Sequence, residues 1–228
     1  MRIAILEDDP TVAVQLSETL STAGHHCFAF ESGRQLMKFL RSETADVVLL
    51  DWNIPDASGL EVARWMNKTL EPPPPIVMIT VRSVEEDILA AFRVGIDDYV
   101  TKPVQPAVLL ARIEAVARRA YPEPPKNRSE QFGRYRFDTQ LKQIRLDGEA
   151  IPVTRKEFAL ALLLFHNLNR SLSRSYIFEA VWGGNPDIQT RTVDTHISKV
   201  RAKLKLRAEH GFRVVPLYGY GYRLEPTG

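Results

Sequence analysis

"VVLLDWNIPDASG", residues 47–59, runs four apolar residues without alternation into an aspartate, then into a Pro/Asp/Ser/Gly loop. Such a run suits a strand covered on both faces, as in a parallel sheet, rather than one with a wet side. Asp51 then stands where a buried strand surfaces. At that position an aspartate is a strand terminator, a metal ligand or a nucleophile, and the surrounding chain has to separate these.

Working outward, the same cadence repeats. Short apolar runs occur at "IAIL" (3–6), "HCFAF" (26–30), "PIVMI" (75–79) and "DDYV" (97–100). Between and after them lie residues at helical spacing: Val12, Leu16, Leu20; Leu36, Phe39, Leu40; Leu60, Ala63, Met66; Ile88, Leu89, Phe92; Leu109, Ile113, Val116. Strand–helix alternation of these lengths predicts a doubly wound α/β unit with a parallel sheet. Ligand chemistry in such sheets gathers at the carboxyl ends of the strands. Glu7, Asp8 and Asp9 follow the first strand, Asp51 ends the third, Thr80 the fourth, and Lys102 follows the fifth. Carboxylates converging on one edge repel one another, so a hard divalent cation such as Mg²⁺ is their natural counter-charge. With a fixed ammonium and a hydroxyl donor added, these are the parts that stabilise a transferring phosphoryl group.

Across this half the chain resembles the receiver domain of response regulators, a flavodoxin-like (βα)5 fold. The resemblance implies that Asp51 is the phosphoacceptor, attacking a phosphohistidine on a sensor histidine kinase. It implies that Glu7, Asp8, Asp51 and the backbone carbonyl of Asn53 hold Mg²⁺, and that Thr80 and Lys102 contact the phosphoryl oxygens. Tyr99 matches the aromatic that swings inward with Thr80, and Lys102–Pro103 matches a bond that is usually cis. Asp9 lies one position beyond the acidic pair. The chain departs from the pattern at Val81, where many receivers carry a small residue, at "KPV" in place of "KPF", and at Val108, where an acid is usual. Arg93, Asp97, Asp98 and Arg112 remain for a charged dimer face, on a dimer partly more apolar, or weaker, than the family norm.

Residues 121–131, "YPEPPKNRSEQ", break the periodicity with proline and polar residues and read as a linker, bounded at 121–129. Beyond it, "GRYRFDTQLKQIRLDGEAIPV" alternates and carries a "DG" turn signal, predicting a small antiparallel sheet. Three helices follow, the first opened by a Thr154–Glu157 capping box, and "FRVVPLYGYGYRLEP" closes as a hairpin. In the third helix Val193, Ile197, Val200 and Leu204 form an apolar stripe. Arg191, Thr192, Thr195, His196, Ser198, Lys199 and Lys203 lie opposite or flank it, a surface suited to a major groove.

"RTVDTHISKVRAKL" and "GYGYRL" resemble the winged-helix effector domain of OmpR/PhoB-type regulators. The resemblance makes 190–205 the recognition helix and 212–224 the wing, leaves Asp194 structural, and puts Tyr218 where relatives often carry arginine. Arg213 and Arg223 are then candidates for phosphate contacts. The charge agrees. Residues 1–120 carry 12 Lys/Arg against 17 Asp/Glu and residues 127–228 carry 17 against 10, so an acidic half joins a basic half that faces a polyanion.

The domains expected are therefore 1–120, a receiver, and 130–228, an α+β winged-helix domain. The function expected is a phosphorylation-dependent homodimer on tandem half-sites of double-stranded promoter DNA. The protein would be no enzyme beyond its own phosphotransfer and dephosphorylation. Two readings rival this one: an aspartate-based phosphatase, which calls for an acid two residues after Asp51, where Asn53 stands, and a DNA-binding protein whose receiver works without phosphorylation, against which the intact pocket argues. The single Cys27, an N-terminal apolar run too short for a signal peptide and the shortness of "FALALLLF" (158–165) point to a cytoplasmic protein without membrane partners.

Overall fold

The computed structural model describes residues 1–81, 85–122, 129–183 and 191–227, with the side chain of Arg191 also outside the described set. The chain divides into two units, Met1–Pro122 and Glu123–Gly228. In the first, β1 (Arg2–Leu6), α1 (Pro10–Thr22), β2 (His26–Phe30), α2 (Gly33–Leu40), β3 (Val47–Asp51), α3 (Gly59–Thr69), β4 (Ile76–Thr80), α4 (Glu85–Val94), β5 (Asp98–Thr101) and α5 (Pro106–Ala120) alternate strictly. The strands form one parallel sheet in the order β2-β1-β3-β4-β5.

Side-chain alternation divides the core. Ala4, Leu6, Val48, Leu50 and Met78 face one side with α2 and α3, while Ile3, Ile5, Val47, Leu49, Val77 and Ile79 face α1 and α5. The whole of β3 is buried, as its uninterrupted apolar run predicts. At the edge, β2 is half-exposed. One expectation changes on α4: Leu89 and Phe92 follow helical spacing yet are 46% and 45% exposed, leaving Ala91 as that helix's buried residue.

The second unit opens with a four-stranded antiparallel meander: β6 (Ser129–Phe132), β7 (Tyr135–Asp138), β8 (Gln143–Leu146) and β9 (Glu149–Ile151). Ser129 to Gln131, read from composition as linker, pair with β7, and the neighbouring Phe132 packs on Phe137 and Phe165. Pairing and aromatic packing override the polar composition here. Then come α6 (Arg155–His166), β10 (Leu172–Ser173), α7 (Arg174–Trp182), α8 (Arg191–Lys203), a short 3-10 turn, and the hairpin β11 (Phe212–Leu217) and β12 (Gly221–Pro226), with β12 between β10 and β11. Both halves of the Thr154–Glu157 capping box form, and Gly183 ends α7 with φ +74°. Gly184 and Thr190, expected at helix ends, lie outside the described residues. At Gly221 a Cβ would fall 2.0 Å from the Leu172 carbonyl oxygen, so only glycine lets β10 close on β12.

Tyr135, Phe137, Phe158, Phe165 and Phe212 build the centre of this unit, and the apolar stripe of α8 faces it as expected. The buried Tyr135 hydroxyl donates to the Leu204 carbonyl oxygen at 2.7 Å, tying β7 to the end of α8. Tyr135→Phe should lower unfolding free energy by about 1–2 kcal/mol in urea titrations of the second unit's transition, since it orphans that carbonyl in the core.

Candidate functional site

The sheet register assembles the first site. Leu6 lies opposite Leu50, Asp51 opposite Ile79, and Thr80 opposite Thr101. The carboxyl ends of β1, β3, β4 and β5 therefore open side by side. Glu7 and Asp51 are buried, 2% and 8% exposed, and Asp8 is exposed. Their ligand oxygens all lie within 4.8 Å of one another, spacing that suits one divalent cation held by hard oxygen donors. Asp9 is engaged outside this cluster, where it N-caps α1 by accepting from the Thr11 and Val12 amides.

Lys102 reaches into the acidic cluster from the end of β5, where its amide donates to the Thr80 carbonyl oxygen at 2.9 Å. The ammonium donates to Asp51 Oδ2 at 2.6 Å and to Glu7 Oε2 at 2.7 Å, and its bond to Pro103 is cis. Burial opposes the charge on Lys102, but the hydrogen bonds and charges of Asp51 and Glu7 outweigh it and hold its pKa above the ordinary lysine value. Burial likewise pushes Glu7 above its ordinary 4.5, against the pull of Lys102. Thr80 is fully buried at the end of β4, and Tyr99 is packed inward on β5 at 9% exposed.

The loop after Asp51 is held from several sides. The Asn53 amide donates to Asp51 Oδ1 at 3.3 Å and the Gly59 amide to the Trp52 carbonyl oxygen at 2.9 Å. A Cβ at Gly59 would lie 2.2 Å from the Asp51 carbonyl oxygen, so α3 starts in direct contact with the Asp51 backbone. Asp56 accepts from the Gly33 and Arg34 amides at the start of α2, and these bonds lower its pKa. Its role had no signal in the sequence beyond a polar residue in a turn.

In the second unit, α8 exposes Thr195, Ser198 and Lys199, with Thr192 partly covered. Other basic or polar residues expected on this surface are occupied within the fold. Lys203 pairs with Glu157 of α6 at 2.7 Å. His196 packs edge-on to Trp182 and hydrogen-bonds the Thr192 carbonyl oxygen through Nδ1. Arg213 and Arg223 both bind the carboxylate of Glu225. Asp194 accepts from Arg174 and the Tyr222 hydroxyl, so it fastens α7, α8 and β12 together. Tyr218 at the hairpin tip is fully exposed. On the α4–β5–α5 side of the first unit, Arg93 is exposed, Arg112 donates to Asp98 at 2.8 Å, and Asp97 accepts from the Ile76 amide.

An acid-and-lysine pocket on a parallel sheet, followed by a helix-and-hairpin domain, defines a response regulator with a transcription-regulating output. Residues 3–114 match the response regulator receiver domain, and residues 148–224 match the C-terminal domain of transcriptional regulatory proteins. The chain is 32% identical to the phosphate regulon transcriptional regulatory protein PhoB of Pseudomonas aeruginosa, covering 97% of this chain and 96% of that one. It is also 32% identical to the DNA-binding response regulator MtrA of Mycolicibacterium smegmatis, covering 99% and 97%. A Francisella response regulator's receiver domain shares the fold of the first unit at 20% identity and a TM-score of 0.50, over 52% of this chain and 98% of that one. The chain belongs to the OmpR/PhoB family of two-component response regulators.

Because Lys102 shares its carboxylates with any bound cation, Lys102→Met should bind a divalent cation at least about threefold more tightly. Trp52, 7% exposed beside Asp51, supplies the fluorescence signal for the titration. The raised Glu7 pKa sets the pH dependence. Cation affinity should fall as pH drops through a value above 4.5, earlier than for an exposed glutamate, because the protonated carboxyl no longer ligates.

Proposed function

We propose that Asp51 is the phosphoacceptor of this regulator, and that phosphorylation drives pairing of two chains on promoter DNA. The observation that carries the reading is the Lys102 ammonium bridging Asp51 and Glu7 beside Asp8, on the edge where Thr80 ends. An Asp51 oxygen attacks the phosphorus of a phosphohistidine on a sensor kinase. The new O–P bond forms as the N–P bond breaks, and the imidazole leaves with the bonding pair. Lys102 neutralises charge growing on the phosphoryl oxygens, and the Thr80 hydroxyl donates to one of them. Glu7, Asp8, Asp51 and the Asn53 carbonyl would hold Mg²⁺, which supplies further charge neutralisation at the same oxygens. Drawing Thr80 toward the phosphoryl group opens space for Tyr99 to settle deeper. The protein catalyses only its own gain and loss of phosphate.

Leu89, Phe92 and Val108 are exposed, with Arg93 beside them in sequence and the Asp98–Arg112 pair on the adjoining elements. This supports a homodimer face more apolar than ionic. Losing one exposed ion pair matters little there, since each contributes about 0–1 kcal/mol. Pairing then links two modest contacts to tandem half-sites, raising effective concentration without any new base contact. Thr195, Ser198 and Lys199 are the exposed groups of α8 that would meet bases and phosphates in the major groove. The side chain of Arg191 joins them in this reading, though it lies outside the described residues. Among the described residues no helix is long and apolar enough to cross a membrane, which fits a cytoplasmic home.

A labelled small phosphodonor should give a stoichiometric, acid-stable, base-labile label that is absent in Asp51→Ala; steady release of phosphate from phosphomonoesters would instead favour a phosphatase. Val81, 67% exposed beside Thr80, restricts the approach of water. The label should therefore decay more slowly in the natural protein than in Val81→Ala, and equal decay rates would sink that role. For DNA, Lys199→Ala should flatten the slope of log K against log salt by about 0.9 if the lysine meets a phosphate. An unchanged affinity and slope would remove Lys199 from the interface.

A further inference from the structure

The helix α6 is apolar nearly all round, and a helix of that kind is normally covered on every side. Its inner stripe, Phe158, Ala161, Leu164 and Phe165, is buried in the core. Its outer stripe is not. Ala159, Leu162 and Leu163 are only partly buried and line a groove of about 540 Å³, closed on one side by Ala180 and Val181 of α7 and on the other by the β7–β8 turn. Arg155, Ala159, Leu162, Leu163 and His166 recur at helical spacing, so the groove follows the axis of α6 for nearly its whole length. That shape fits an elongated segment better than a compact small molecule.

The rim has one sign. Arg155 is exposed at the first turn of α6, and Lys142 stands on the β7–β8 turn with its ammonium 5.4 Å from the centre of the Phe158 ring. Neither forms an ion pair among the described residues. Lys142 also holds a left-handed backbone, φ 54°, which a residue with a side chain adopts at some cost. Two acids of the adjoining strands are engaged elsewhere: Glu130 bonds His166 at 2.6 Å, and Asp138, at the start of the β7–β8 turn, accepts from the Gln140 and Leu141 amides. An apolar floor with an uncompensated basic rim selects apolar anchors flanked by carboxylates, and repels a cationic segment.

We propose that this groove is a docking site for an amphipathic segment of a second protein, with apolar residues on the face that enters and Asp or Glu along its flanks. No described residue lining the groove belongs to α8 or the hairpin, so filling it uses no side chain of the proposed duplex-facing surface, and it does not depend on the chemistry at Asp51. A DNA-bound chain would thereby recruit an acidic partner through a surface that touches no nucleotide.

The test uses the full chain and two fluorescent synthetic peptides with the same leucine ridge, one flanked by glutamates and one by lysines. Anisotropy titration should show the glutamate peptide binding at least about fivefold tighter at low salt, with the gap narrowing as salt rises. The double variant Lys142→Glu/Arg155→Glu changes only exposed residues and should reverse that order. Ala159→Trp fills the groove and should abolish binding of both peptides while leaving duplex affinity unchanged. Equal affinity for the two peptides, an order that survives the charge reversal, or undiminished binding to Ala159→Trp would each overturn the proposal. So would self-association of the chain that Ala159→Trp removes, which would give the groove to a second copy.

Discussion

A single ammonium lies between two carboxylates that would otherwise repel each other. Lys102 meets Asp51 and Glu7 at hydrogen-bond distance, on the edge of a sheet whose strands β1, β3 and β4 are buried on both faces. Three strand ends are joined by that contact: β1 through Glu7, β3 through Asp51 and β5 through Lys102. The contact is strong because the site is largely closed to water, where charge interacts through a lower effective dielectric. It is also exchangeable. A cation entering the cluster must compete with Lys102 for the two carboxylates, and an oxyanion must compete with the carboxylates for Lys102, so electrostatic change at this edge reaches β5 directly. The first unit thus stores its sensitivity in the pairing that holds its edge together.

Much of this was legible in the chain because burial on both faces leaves an unbroken apolar run. β1, β3 and β4 announce themselves that way, and the acids and the lysine follow directly on their ends. Periodicity is weaker evidence for where a helix face points. Leu89 and Phe92 have core spacing but face solvent, because an apolar face left open and a core face share one pattern. β6 was hidden for another reason: its polar residues are a strand only by virtue of β7 beside them. The arginines of the hairpin show the same gap. Arg213 lies directly across the ladder from Glu225, twelve residues on, and that register exists only once the hairpin has formed.

Those internal pairs reshape the basic unit. With Lys203 paired to Glu157, and Arg213 and Arg223 sharing the one carboxylate of Glu225, part of its basic charge is already engaged inside the fold. What the paired residues supply is alignment. Glu157 closes the start of α6 and grips Lys203 of α8, while Asp194 holds α7 and β12 against the same helix. The exposed hydroxyls and lysine of α8 are therefore presented by a braced frame, and a braced surface loses less entropy when it meets a partner.

The contact between Gly59 and the Asp51 carbonyl oxygen has a directional effect. With its main chain wedged against the start of α3, the Asp51 backbone has no room to shift toward that helix. Its neighbour along the sheet edge is β4, which ends at Thr80. The element that follows β4 is α4, anchored by Ala91 as its buried residue. A tightly wedged strand and a lightly anchored helix thus stand in one unit: strain arising at this edge would meet five buried residues on α3 and one on α4, so α4 resists it least.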